Sequence, residues 1–265
     1  MARGDPSTRP NAVASTGTTS EDWSTDPTAE MGGIVVRQAS VVQLPGYRSP
    51  LEPSRALKAG TSLRPREFVS EVQRDRLIDA FVQVVVEQGF ESAWIKTICR
   101  RAGVAFNTFY ELYRSKEELL LTAYDAGVAV LFNVTSAAYF SDDVPWRRRV
   151  EVGLGTFLQT LADNPIFARF FAIEIHKAGP HGQARVDQSI EAASAMFTNV
   201  EAAPGLAIPA TELVPLVVGS IYEQIYFYIR SGRISELPSL NPTLTTFAAH
   251  MFTNADFGVG PSALG

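Results

Sequence analysis

Residues 92–119, SAWIKTICRRAGVAFNTFYELYRSKEEL, decide how this chain is read. Ile95, Ile98, Cys99 and Ala102 recur at three- and four-residue spacing, which lays an apolar stripe along a helix about two turns long. Gly103 ends that helix, because a residue without a Cβ takes the left-handed conformation that closes it, and Val104 fills the crevice beneath the turn. Phe109 and Tyr113, four apart, give a second short helix its own buried stripe. Ala105, Phe106, Asn107, Thr108 and Tyr110 are then left on its exposed N-terminal part, the part that meets base edges and phosphates in a helix-turn-helix. Ser115, with Glu118 three residues on, forms a capping box that starts a third helix at Lys116, where free N–H groups and a lysine suit a phosphate. Ala93 and Trp94 offer no capping oxygen, so Ser92 is expected to cap the first of the short helices.

Working outward, residues 73–90, QRDRLIDAFVQVVVEQGF, form a supporting helix expected to begin at Pro65 or Val69 and to end at Gln88. Leu77, Ala80, Phe81, Val84 and Val85 make its buried face, and Gly89 stops it. Arg74 and Arg76 are left facing solvent or phosphate. This stretch, followed by AGVAFNTFYELYRSKEELLLTAYD at 102–125, resembles the DNA-binding domain of TetR-type (tetracycline-repressor-like) one-component regulators over roughly residues 66–125. The resemblance implies that Tyr110 and Lys116 hold phosphates, that Thr108 sits at the groove, and that Asn107 and Phe106 face bases. Ala105 and Phe106 depart from the small polar and polar or basic residues usual there, and Phe106 is suited to press on a thymine methyl. LRPREF at 63–68 resembles the family's extended basic arm, which would bring Arg64 and Arg66 to a minor groove.

Charge qualifies this reading. The formal net charge is −5, yet basic and acidic side chains number six and six over residues 1–63, nine and nine over 64–118, and eight and thirteen over 119–265. The deficit lies wholly in the last segment. The head is neutral overall, so DNA affinity rests on how Lys96, Arg100, Arg101 and the other cations are distributed over one face. A single cysteine, Cys99, on an inward stripe rules out an internal disulfide and fits a reducing cytoplasm. The N-terminus shows no apolar run of a signal peptide, and no membrane association is expected.

Residues 1–62 are rich in Ser, Thr, Pro, Gly and Ala and lack a helical period, so a disordered extension is expected there. Within it, GIVVRQASVVQL at 33–44 reads either as a strand or partner-binding segment or as an apolar patch in a flexible tail. The DNA-binding domain is assigned to 63–115, a helical effector-binding and dimerisation domain to 116–256, and a flexible C-terminus to 257–265. In that second domain the helix from Lys116 continues as far as Phe140, and a further helix spans Trp146 to Leu161. Pro165 opens the next, with a GPHG turn at 179–182 and a helix from Gln183 to Glu201 behind it. Two last helices begin at Thr211 and Asn241; Gly219 in the first allows a neighbour to approach. In the family the resemblance points to, two such helices build a four-helix dimer interface.

Phe157, Phe167, Phe170, Phe171, Phe197 and Tyr222 are candidates to line an apolar effector pocket, with Glu174 and His176 as its polar groups. His176, His181 and His250 have no metal-ligand spacing, and neither a phosphate-binding glycine loop nor a nucleophile turn is present, so no catalytic residue, metal or cofactor is assigned. The expectation is an all-α homodimeric transcriptional repressor, cytoplasmic, bound to a palindromic double-stranded operator and released by a small apolar effector. The rival reading is a helical small-molecule-binding or catalytic protein in which the helix-turn-helix only packs; it requires that DNA affinity be absent.

Overall fold

The computed structural model describes residues 42–52, 66–141, 143–197 and 208–253. Among them run nine α-helices: α1 (Arg66–Gln88), α2 (Ile95–Ala102), α3 (Phe106–Leu112), α4 (Lys116–Tyr139), α5 (Trp146–Asp163), α6 (Pro165–Ala172), α7 (Gly179–Met196), α8 (Ala210–Arg230) and α9 (Asn241–Thr253). Short 3-10 turns at Glu174–Ala178 and Ile234–Leu240 lead into α7 and α9. No strand occurs among the described residues, and the all-α expectation holds.

The head is built as its sequence pattern requires. Leu77, Ala80, Phe81, Val84 and Val85 of α1 are fully buried, and Gly89 turns the chain at a φ of +81°. Ile98, Cys99 and Ala102 of α2 pack against α1. Ser92 does not cap α2. The Ala93 N–H bonds back to the carbonyls of Gly89 and Phe90, a turn that buries Ala93 and leaves Trp94 at the N-cap with no side-chain bond. Gly103 takes the left-handed conformation at φ 60°, and its N–H and that of Val104 close on Arg100 and Cys99. Ser115 Oγ accepts from the Glu118 N–H at 3.1 Å, and Glu118 Oε2 accepts in return from the Arg114 N–H at 2.6 Å. The reciprocal bond thus falls one residue earlier than in the usual capping box.

The body wraps around α4. Leu119, Leu120, Ala123, Tyr124 and Leu131 are buried against α1, α5, α6 and α7. α4 is long and apolar enough to span a membrane by composition, but in this fold it is a central packing helix. Gly127 lets α6 sit close: a Cβ there would lie 2.1 Å from the Phe167 ring. The GPHG segment, expected as a turn, instead forms the first turn of α7, with Pro180 at a position where its missing N–H costs nothing. Gly182 is needed there, because a Cβ would meet the Ile175 carbonyl oxygen at 2.0 Å. Among the described residues, no atom lies within 4 Å of a Cβ built at Gly219, so that face of α8 is open to a neighbour.

Residues 42–52 also correct the sequence reading, which placed them in a disordered extension. Leu44 is buried in the core. Asn164, between α5 and α6, donates to the Val42 carbonyl at 3.0 Å and faces the Leu44 N–H at 3.4 Å. Asp79 accepts from the Gly46 N–H at 2.7 Å, and Gln83 donates to the carbonyls of Gly46 and Arg48. The segment is a strap across α1 and α6, and Leu51 ends it against Gly103. The remainder of 1–62, including 33–41, and the C-terminal residues 257–265 lie outside the described residues.

Candidate DNA interface and effector cavity

Burial of Phe109 and Tyr113 fixes the rotation of α3. Ala105, Phe106, Asn107 and Tyr110 are therefore exposed and Thr108 is half-buried. Phe106 keeps 40% of its surface in solvent and Tyr110 51%, and their rings meet edge-on at 5.2 Å. Lys96 reaches across from α2 with its ammonium 6.0 Å from the Phe106 ring. The structure thus brings Lys96, Phe106 and Tyr110 into one surface. Trp94, weighed in the sequence only as a cap position, is 72% exposed at the head of α2. Arg64 lies outside the described residues, as does the side chain of Arg66, which opens α1.

Lys116 is placed differently from expectation. Its ammonium donates to the carbonyls of Phe90 and Glu91 and sits 4.4 Å over the Phe90 ring. Burial lowers its pKa, with Glu91 opposing the shift. It grips the α1–α2 loop, so contact with a phosphate would require it to leave those carbonyls. Arg76 is buried behind the turn and donates to the Gly103 carbonyl at 3.3 Å. Its spacing of four from Ala80 and eight from Val84 was the signal that it faces inward.

The body encloses a cavity of about 130 Å³ between α4, α5, α7 and α8. Of the candidate effector-site residues, Phe157, Phe171, Phe197 and Tyr222 line it. Phe167 and Phe170 do not; they pack among themselves, with Phe170 edge-on to Phe81 of α1 at 6.0 Å. Glu174 is likewise absent from the wall, since its carboxylate accepts from the Phe90 N–H at 3.1 Å and ties the body to the head. His176 stands behind Tyr222, 3.5 Å from its hydroxyl, and lines a separate cleft between α7 and α8. Sequence reasoning missed the α4 wall, Val128, Leu131, Thr135 and Tyr139, whose spacing of three and four from Val128 to Leu131, Thr135 and Tyr139 runs along one helix face. Among the described residues, no charged side chain lines the cavity. Burial pushes the Tyr222 phenol well up, so it is a neutral donor at any physiological pH. Among the described residues, no three His, Cys, Asp or Glu side chains group to hold a metal.

The family model for bacterial regulatory proteins of the tetR family matches residues 77–123, from α1 through the turn and α3 into α4. Over these residues the chain is similar to the tetR family. The chain is similar in sequence to the transcriptional repressor KstR of Mycobacterium tuberculosis, 25% identical over 157 residues that cover 58% of this chain and 71% of that one. The fatty acid metabolism regulator protein of Bacillus subtilis is 35% identical over 49 residues, 18% of this chain and 25% of that protein. In fold, the chain is similar to the transcriptional regulator FadR from Bacillus subtilis, solved in complex with stearoyl-CoA. The TM-score is 0.58 at 15% identity, covering 66% of this chain and 97% of that one.

Proposed function

We propose that this chain is a TetR-type regulator, a cytoplasmic homodimeric repressor that leaves a palindromic operator when an apolar effector enters its cavity. Residues 63–115 serve as the DNA-binding head and 116–256 as the effector and dimerisation body. Lys96, Asn107, Thr108 and Tyr110 form its DNA face with Phe106. The observation that carries the reading is the position of α6. Phe171 lines the cavity, while its neighbour Phe170 rests on Phe81 of α1, and Glu174 just beyond holds the α1–α2 loop. Whatever moves the cavity wall moves the helix on which the head is mounted.

The chemistry of the cavity favours an acyl chain. An apolar cavity of about 150 Å³ takes a benzene without rearrangement, so a longer chain has to part walls that enclose about 130 Å³. Its charged end would be costly to bury among uncharged residues. The gap between α4 and α7, lined by Asp125, Arg185 and Gln188, shares Val128, Phe132 and Ser189 with the cavity and leaves that end in water. The stearoyl-CoA bound by the Bacillus subtilis protein and the name of the fatty acid metabolism regulator support the same class.

Dimerisation is supported by the open faces of α8 and α9. Leu216 and Phe227 are 59% and 44% exposed, with Gly219 and Ser220 between them, and Phe247 of α9 is exposed as well. A self-complementary apolar patch of this kind suits a two-fold interface. Titration of acyl-CoAs of rising chain length into the protein–DNA complex tests the reading. Acyl forms are expected to release DNA and free CoA to leave it bound, while Leu154→Trp, which fills the cavity, keeps DNA binding and loses release. Release by free CoA, or unchanged release from Leu154→Trp, would contradict it.

A further inference from the structure

We propose that Phe106 reads a thymine in each operator half-site, by packing its ring against the C5-methyl group in the major groove. The proposal rests on the DNA-binding reading above and adds what the head recognises. Phe109 is wholly buried, so α3 has one rotational setting and Phe106 stands on its outward side at the leading end. Ala105 before it is exposed and makes no side-chain cap bond. Ala105 and Phe106 therefore present only hydrocarbon where a hydrogen-bonding residue would read the O6 and N7 of guanine or the N6 and N7 of adenine.

Among the four bases only thymine shows a methyl group in the major groove. A phenyl ring pressed on any other base edge covers an amino group or a carbonyl without supplying a partner, and an unsatisfied polar group is costly. Phe106 thus selects in two ways, by burying the methyl where thymine stands and by penalising the alternatives. The ring is also braced before DNA arrives. Tyr110 holds it edge-on at 5.2 Å and the Lys96 ammonium lies 6.0 Å away, so little side-chain freedom remains to be lost on binding. Lys96 carries its charge toward the same surface, where backbone phosphates flank the groove. Asn107, exposed at the next position, is of the type that pairs with adenine through two hydrogen bonds, and it sets the phase of the reading without duplicating it.

The test uses the full-length protein and a preferred duplex recovered by selection from random DNA. Each thymine of a half-site is replaced singly by deoxyuridine, which removes one methyl group and leaves every hydrogen bond. One position is expected to respond, with affinity falling about fourfold per half-site, the worth of one buried methyl. In Phe106→Ala the same replacement is expected to have no effect at that position, although the variant binds all duplexes less tightly, and Phe106→Leu is expected to keep part of the response. A flat deoxyuridine scan of the unaltered protein would overturn the proposal, as would a response that persists undiminished in Phe106→Ala. Failure to recover any preferred duplex would instead overturn the DNA-binding reading, and this inference with it.

Discussion

Gly103 shows how much one residue carries. Its left-handed backbone closes α2, and a Cβ there would stand 2.3 Å from the Arg76 guanidinium and 2.7 Å from Leu51. Gly103→Ala therefore combines backbone strain with a clash against a buried cation, at a cost of about 1–3 kcal/mol. Urea unfolding is expected to show a lower midpoint, and anisotropy a weaker DNA complex, since the angle between α2 and α3 is set there. Gly103 was legible in the sequence, as were Phe109, Tyr113 and the Ser115 cap, because each acts within a few residues of itself. Lys116 and Glu174 were not. Their partners are backbone groups of Phe90 and Glu91, up to 84 positions away, and nothing local to either residue encodes that approach.

At the scale of elements, the strap at 42–52 and α6 share the task of mounting the head on the body. Asn164 and Asp79 are buried, and both spend hydrogen-bonding capacity on strap backbone. Asn164→Ala leaves the Val42 carbonyl without that donor and is expected to cost about 1–3 kcal/mol, which for a chain of this size lowers Tm by about 2–4 °C for each kcal/mol. Calorimetry of the full-length variant checks it; an unchanged Tm would mean that the strap docks without this clamp. Phe170→Ala removes the ring between α6 and Phe81 at a cost of about 3–5 kcal/mol. It is expected to reduce the fold-change in DNA affinity on adding an acyl-CoA more than it reduces DNA affinity itself. The helices were legible from their periods of three and four. The strap was not, because it has no period, its composition matches a tail, and its order comes from residues 33 to 122 positions distant. The cavity was legible in part: aromatic residues of α5, α6 and α8, with Phe197 after α7, stood out, whereas the aliphatic stripe of α4 reads the same whether it lines a void or fills a core.

For the whole molecule, the acidic balance lies after residue 118 and the proposed DNA face lies before it, so on this reading the two functions are separated along the chain. Two heads become one reader only if the bodies pair. Leu216→Asp combined with Phe247→Asp places charge on the open faces of α8 and α9 and is expected to give a monomer by sedimentation, with DNA affinity reduced by an order of magnitude or more. A dimer that survives both substitutions would move the interface elsewhere. The most direct test of the whole reading is fluorescence anisotropy of the protein with its selected duplex and with a scrambled one, each at two salt concentrations. A specific regulator prefers the selected duplex by a factor on the order of 10³ and loses affinity steeply with salt. Equal binding to both duplexes, or binding indifferent to salt, would mean that the helix-turn-helix serves packing rather than DNA.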